Sequence, residues 1–265
     1  MTLHGARRKN WQPLPGCGPL VIAHRGASLR ETENTVAAFR AAMTDGADGV
    51  ELDVQCCGTG EVVVFHDDDL RRLAGRPERI DQLSLDAIRK VNLAGGSRIA
   101  TLDEALEACG DGLVNVELKC GAIFPAAAVR LVAGVAEVLA RAGKGEQVLI
   151  SSFSPGAAWF WRRRHSDVPC ALLFERPTPF HRPWPLRTDM LLPLLRPFAV
   201  HPAEELCTPP SVAAWRRRGY AIHAWTVDQP QRITALAAMG VSGVITNDPA
   251  KARSLLTLTR RSADG

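Results

Sequence analysis

Eight short apolar runs are spaced along the chain: "VIAH", "DGVELDV", "GLVNVELK", "QVLISSF", "CALLFE", "FAVHPA", "YAIHAWTV" and "GVITND". Stretches of helical periodicity separate nearly all of them. In "ENTVAAFRAAMTDG", Val36, Phe39, Ala42 and Met43 recur at helical spacing before Gly46 ends the pattern. "AAAVRLVAGVAEVLARAG", "PGAAWFWRRRH", "PSVAAWRRRG", "QPQRITALAAMG" and "PAKARSLL" read the same way. Strands alternating with helices predict an α/β fold with a parallel sheet, and about eight such units is the number that closes a (β/α)8 TIM barrel. The rival architecture is a doubly wound open sheet, which opens with a glycine-rich nucleotide loop after its first strand; "HRGASLRETEN" is not one.

One run breaks the alternation. "EVVVFHDD" at 61–68 follows "ELDVQCC" after only Gly58-Thr59-Gly60, too short for a helical crossover. The pair predicts a protruding antiparallel hairpin over about 55–68, symmetric about Thr59, with Phe65 opposite Asp53. Its return strand carries His66 to the mouth that Glu51 and Asp53 occupy. Residues 70–111 form an excursion with short helical patterns, "SLDAIRKV" and "TLDEALEACG", and both a lid and a long connection fit it. The proline-dense "ERPTPFHRPWPLRTDMLLPLLRP" breaks any helix and predicts an irregular loop along one side. No internal repeat or domain boundary interrupts the pattern, so residues 1–265 read as a single barrel domain with a core of about 20–255.

An apolar share of 46% over 265 residues supports a full core and excludes disorder. The formal charge of +4 is modest, and the clusters Arg162-Arg163-Arg164 and Arg216-Arg217-Arg218 fall at helix ends. They read as solvated helix faces rather than as a nucleic-acid stripe. The seven cysteines are scattered without a repeated zinc spacing, and the adjacent Cys56-Cys57 cannot readily bridge to each other. They suit reduced thiols in a cytoplasmic protein. "MTLHGARRKNWQPLPGCGPL" lacks the apolar core of a signal peptide, and no segment reaches membrane-spanning length free of charge.

In a parallel eight-stranded barrel the site lies at the C-terminal ends of the strands, where this sequence concentrates polar residues. The first strand ends in His24-Arg25, the second in Glu51-x-Asp53 and the third in Glu117-x-Lys119. Later strands end in Ser151-Ser152-Phe153, Trp225-Thr226-Val227-Asp228 and Thr246-Asn247-Asp248-Pro249. Glu51 and Asp53 point to one face of their strand and Val50, Leu52 and Val54 to the other. Two inward anions repel unless a cation lies between them, and Glu117 on the neighbouring strand adds to the demand. Three carboxylates without thiolate or imidazole suit a hard ion, Mg²⁺ or Ca²⁺, rather than zinc. The plainer alternative pairs each acid with Arg25 or Lys119 as a structural ion pair. His24 and His66 reach the mouth from different segments and fit a general acid and base, and Arg25 and Lys119 suit phosphoryl oxygens. His165, His181 and His201 lack such company and read as surface residues; His223 points with Trp225, toward the site.

"AHRGAS", "ENT", "GVELDV", "VVFHDD", "NVELK", "ISSF", "AWTVD" and "GVITNDP", in this order over about residues 20–255, resemble the glycerophosphodiester phosphodiesterase family, whose soluble bacterial cytosolic branch is similar in size. The resemblance implies a (β/α)8 barrel that hydrolyses glycerophosphodiesters, such as glycerophosphocholine or glycerophosphoethanolamine, to glycerol 3-phosphate and an alcohol. It makes His24 and His66 the acid–base pair, Glu51, Asp53 and Glu117 the divalent-metal ligands, and Arg25 and Lys119 the phosphate-binding residues. Glu33 and Asn34 match the "ENT" element that supports the site floor, and Trp225 the apolar wall against the glycerol. The implied reaction has the glycerol 2-hydroxyl, at the metal, losing its proton to one histidine and attacking phosphorus while the other protonates the departing alcohol; water then opens a cyclic phosphate. Two departures stand out. Thr32 occupies the position before "ENT" where proline is usual, which loosens the loop. The run "RRLAGRPERIDQ" after "HDDDL" lacks the usual threonines, which bears on substrate preference.

Two other readings stay open. The same barrel could act on lysophospholipids or phosphoinositides if an exposed apolar or basic surface docks it on a membrane, which Phe180, Trp184 and Leu191 of the proline-rich loop could supply. A barrel that only binds phosphorylated ligands would lack one of the histidines or acids, and none is missing. The expected partner is a small-molecule glycerophosphodiester, with no nucleic acid and no integral membrane segment; a homo-oligomer is open.

Overall fold

The computed structural model describes residues 11–14, 16–120, 126–176 and 188–263. Its strands are β1 (Leu20–His24), β2 (Gly49–Cys56), β3 (Val62–Val64), β4 (Ala100–Thr101), β5 (Leu113–Leu118), β6 (Val148–Ser152), β7 (Cys170–Phe174), β8 (Ala199–Pro202), β9 (Ala221–Ala224) and β10 (Gly243–Thr246). Its helices are α1 (Val36–Thr44), α2 (Arg71–Ala74), α3 (Leu85–Ile88), α4 (Leu102–Ala108), α5 (Ala126–Ala142), α6 (Pro155–Arg164), α7 (Leu192–Leu195), α8 (Pro209–Arg217), α9 (Pro230–Met239) and α10 (Pro249–Ala263).

Eight strands pair in parallel in the order β1-β2-β5-β6-β7-β8-β9-β10, and β10 returns to β1, so the sheet closes into a (β/α)8 barrel. These are the eight apolar runs of the sequence. Strand alternation then sorts their side chains. Val50, Leu52, Val54, Val114, Val116 and Leu118 face outward and are buried under Phe39 of α1, Leu102 and Leu106 of α4 and Val135 of α5. Leu20, Ile22, Leu113, Leu149, Ala171, Ala199, Ala221 and Ile245 face inward and fill the lower barrel, with Trp11 buried among them. Each of the larger side chains among them contributes about 1.5–3 kcal/mol on removal from water.

Local chemistry fixes the helix starts. Thr35 caps α1 by accepting from the Ala38 amide, Ser154 caps α6 ahead of Pro155, and Thr208 forms a reciprocal cap with Ser211 ahead of Pro209 and Pro210. At α4, Thr101 and Glu104 form a full capping box.

The hairpin forms on the edge of β2: Val54, Gln55 and Cys56 pair with Val64, Val63 and Val62, a register symmetric about Thr59. β4 adds to β3, so the excursion returns to the sheet before α4 begins. Between them, residues 70–99 close over a separate apolar cluster of Cys57, Val63, Phe65, Leu70, Ile80 and Ile88. The segment is thus a packed shoulder of the barrel. Thr32 does more than loosen its loop, because its hydroxyl donates to the Ala94 carbonyl and ties that loop to the shoulder. Most of the proline-rich stretch, with Phe180, His181 and Trp184, lies outside the described residues. The described helices include none long and apolar enough to cross a membrane.

Candidate active site

Register brings the acids together. Glu51 on β2 aligns with His24 on β1, and Asp53 aligns with Glu117 on β5. The three carboxylates are buried, and one oxygen of each lies within 4.8 Å of the others. Burial, and then the neighbouring Asp53, push Glu51 and Glu117 each up to about 8. Burial acts on Asp53 too, but Lys119 and Arg25 outweigh it and hold its carboxyl below the usual range. Lys119 Nζ donates to Glu117 at 3.1 Å and lies 3.7 Å from Asp53. One lysine and one arginine thus stand against three buried acids, and an all-oxygen donor set short of positive charge fits a hard divalent cation.

The turn after β1 places the arginine. Arg25 adopts φ 56, and its own amide donates to Glu51 at 3.1 Å. The chain can turn there because Gly26 follows at φ +87; a Cβ on it would stand 2.6 Å from Ala38 Cβ of α1. Arg25 Nη1 donates to Glu33 at 2.8 Å, and its Nε lies 3.2 Å from Asp53 without a hydrogen bond's direction. Asn34, also left-handed at φ 59, clasps Asp53 in both directions: its amide donates to the carboxylate at 2.8 Å and its oxygen accepts from the Asp53 backbone. The "ENT" element therefore reaches both groups and holds Arg25 and Asp53 in place.

Each histidine is oriented through Nδ1. His24 Nδ1 lies 2.8 Å from Asn247 Oδ1, whose amide nitrogen donates to Asp228 at 2.6 Å. That second bond assigns the oxygen end of the Asn247 amide to His24, so Nδ1 carries the proton and Nε2, 3.9 Å from Glu51, presents its lone pair. His66 Nδ1 lies 2.7 Å from Asp67. Asp67 accepts in turn from Arg72 Nε at 2.7 Å, and both Nη groups of Arg72 donate to Glu33. Hydrogen bonds to Arg72 and the charge of Arg25 outweigh burial and hold Glu33 near 2. Gln55 pins the approach to His66 by donating to the Phe65 and Asp67 carbonyls. Burial, with help from Arg25, lowers both histidines below their ordinary value.

These groups open on one pocket of about 490 Å³. His24, Arg25, Glu51, His66, Glu117 and Lys119 line one half of it; Phe153, Leu173, Glu175, Trp225 and Ile245 line the other. Trp225 is held by its indole N–H, which donates to the His201 carbonyl at 2.8 Å, and Phe153 meets its ring edge-on at 5.4 Å.

The sequence expectation for two histidines needs correction. His201 is not on the surface but fully buried inside the barrel. His223 does not line the pocket; it lies lower, bonded to His201 at 2.9 Å and to the Trp11 carbonyl at 2.9 Å. Small inward residues, Ala171, Ala199 and Ala221, leave room for the two rings, and a Cβ on Gly243 would stand 2.8 Å from His223. Four residues with a direct hold on the site were given no role from sequence: Asn247, Asp228, Asp67 and Arg72. The first three were visible as polar strand or hairpin ends, in "TND", "TVD" and "HDD"; nothing local marks Arg72.

A closed (β/α)8 barrel with paired imidazoles, two cations and an acidic cluster in one mouth has the makings of a phosphodiesterase. The family model for the glycerophosphoryl diester phosphodiesterase family matches residues 24–251. The chain belongs to this family of enzymes. It is 34% identical over 255 residues to a glycerophosphodiester phosphodiesterase of Caldanaerobacter subterraneus subsp. tengcongensis, covering 91% of this chain and 98% of that protein. It is 30% identical over 266 residues to the probable glycerophosphodiester phosphodiesterase 2 of Mycobacterium tuberculosis, covering 94% of each. Among solved structures, a putative glycerophosphoryl diester phosphodiesterase from Silicibacter pomeroyi superposes with a TM-score of 0.84 at 23% identity, over 96% of this chain and 98% of that one. An Oleispira antarctica phosphodiesterase in complex with the product sn-glycerol-3-phosphate superposes at 0.80 with 25% identity, over 91% and 97%.

Proposed function

We propose that the chain hydrolyses glycerophosphodiesters, such as glycerophosphocholine and glycerophosphoethanolamine, to glycerol 3-phosphate and an alcohol, by proton transfer between His24, His66 and the substrate. The observation that carries this is the convergence, on one side of the pocket, of two imidazoles each held through Nδ1 and three buried carboxylates flanked by Arg25 and Lys119. Glu51, Asp53 and Glu117 would hold Mg²⁺ or Ca²⁺. When bound, the cation supplies positive charge where negative charge grows on the phosphoryl group.

The unlike partners of the two histidines divide the work. His24 leans on a neutral amide, so it stays neutral and its Nε2 takes the proton of the glycerol 2-hydroxyl as that oxygen attacks phosphorus. His66 leans on the Asp67 carboxylate, which works against the lowering by burial and makes it the readier of the two to carry a proton, and it gives its Nε2 proton to the departing alcohol oxygen. The P–O bond to that alcohol breaks and leaves a cyclic phosphate, which water opens with the two roles reversed. Arg25 and Lys119 hold the non-bridging oxygens, Glu33 and Asn34 keep Arg25 and Asp53 in position, and Trp225 lies against the glycerol carbons. We read residues 1–265 as one catalytic domain, and the seven free thiols fit a reducing, cytoplasmic setting.

Turnover of glycerophosphocholine, followed before and after chelation and again with Mg²⁺ or Ca²⁺ restored, tests the proposal. Loss on chelation and recovery with one ion is the expected result; undiminished turnover in chelator removes the cation from it. Lysophosphatidylcholine run alongside tests the choice of substrate, and preferential turnover of the lysolipid would replace the class named here.

A further inference from the structure

The apolar half of the pocket contains one charged group. Glu175 follows β7 and, by alternation with Ala171 and Leu173, points inward like them. It is solvent-exposed and forms no ion pair or hydrogen bond with any other described residue. Its neighbours are fixed and aromatic. The register Ser151↔Ala171 and Ser152↔Leu172 puts Phe153 level with Leu173, so Glu175 stands one pleat above Phe153, toward solvent. Trp225 is reached across β8, where the Ala203 amide donates to the Phe174 carbonyl and Ala203 bridges to Trp225. Glu175 and Trp225 are thus two strand spacings apart, roughly 10 Å between backbones, on one rim.

On the reading given under Proposed function, depth decides which part of a diester meets this rim. The glycerol 2-hydroxyl must reach His24 and the buried acids at the floor. The alcohol on the far side of phosphorus leaves to solvent and therefore occupies the outer position. We infer that Glu175, one pleat above the Phe153 ring and outside the part of the pocket where Trp225 meets the glycerol, forms a binding site for a positively charged alkylammonium head group on the departing alcohol. Aromatic faces attract such a cation through the ring quadrupole, and a carboxylate free of any described ion pair supplies the counter-charge. Neutral head groups gain neither interaction, and anionic ones are repelled.

The test compares kcat/KM for glycerophosphocholine, glycerophosphoethanolamine and glycerophosphoglycerol in the full chain with its divalent ion. Glu175→Gln should lower the ratio of the choline to the glycerol ester about fivefold, and Glu175→Lys should lower it further. The wild-type ratio should shrink as salt rises, since the site is exposed. Equal losses on all three esters, or an unchanged ratio, overturn the assignment: the first would make Glu175 a partner of the common glycerol, the second a bystander. Ligand-observed NMR with tetramethylammonium reads the same site without turnover. Binding that Glu175→Gln weakens, in a protein that hydrolyses none of the esters, would uphold the cation site and remove the reaction; no difference between the two proteins would remove the cation site.

Discussion

Two pairs of histidines occupy this barrel, and one pair faces the substrate while the other faces itself. At the mouth, His24 and His66 each spend Nδ1 on a separate support, Asn247 or Asp67, and turn Nε2 to the pocket. Below them, His223 Nε2 donates to the Trp11 carbonyl, which leaves its Nδ1 to accept from His201. Both of these rings are fully buried, and burial lowers His223 to about 4 and His201 well below its ordinary value. A histidine acquires a proton-transfer role from what holds its second nitrogen and from where the first one opens, and its residue type alone predicts neither.

The largest separation between the pairs should appear in turnover. His24→Ala and His66→Ala should each reduce kcat by about 10²–10⁴-fold with little change in the unfolding midpoint. A loss under tenfold in either would place proton transfer elsewhere. His223→Leu should do the reverse, lowering the free energy of unfolding in urea by about 1–3 kcal/mol, because the Trp11 carbonyl and the His201 N–H lose their partner, while kcat per folded molecule holds.

A smaller effect probes the supports. Arg72 joins Asp67, and through it His66, to Glu33, and through it Arg25. Arg72→Ala should lower kcat roughly tenfold, and Arg72→Lys should recover little of it, since an ammonium cannot fork between two carboxylates. Full activity in the lysine variant would reduce Arg72 to a surface ion pair.

The smallest effect is a slope. His223 is neutral when folded down to about pH 4 and takes a proton near 6.5 when unfolded. Its stabilising contribution is therefore complete above pH 6.5 and is lost as the pH falls toward 4, at up to about 1.4 kcal/mol per pH unit. Urea midpoints between pH 6.5 and 5 should fall less steeply in His223→Leu than in the wild type; parallel slopes would mean that the buried pair already holds a proton.

The barrel was legible because each strand is a short apolar run bounded by turn residues, and because the three residues Gly58-Thr59-Gly60 permit only a hairpin. The acids were legible through the two-residue spacing in "VELDV", which strand geometry converts directly into a shared face. His201 was misread for a physical reason. An isolated histidine in "FAVHPA" resembles a strand residue meeting water, and only the small inward residues of β7 to β10, Ala171, Ala199, Ala221 and Gly243, show that the barrel has room for it. Arg72 was invisible because its partners, Glu33 and Asp67, converge only after the shoulder of residues 70–99 has packed.

The closing seam of the barrel has a further consequence. β1 is synthesised before every other strand of the barrel, yet one of its edges waits for β10, whose partner positions are Leu20 with Gly243 through Ala23 with Thr246. Until β10 emerges, the nascent cylinder carries two bare strand edges, on β1 and on β9, each able to recruit another chain. The bond from His24 to Asn247 crosses that same gap, over 223 residues of sequence. The orientation of this imidazole is therefore set only when the cylinder zips shut, and an unfinished chain cannot begin to act on substrate.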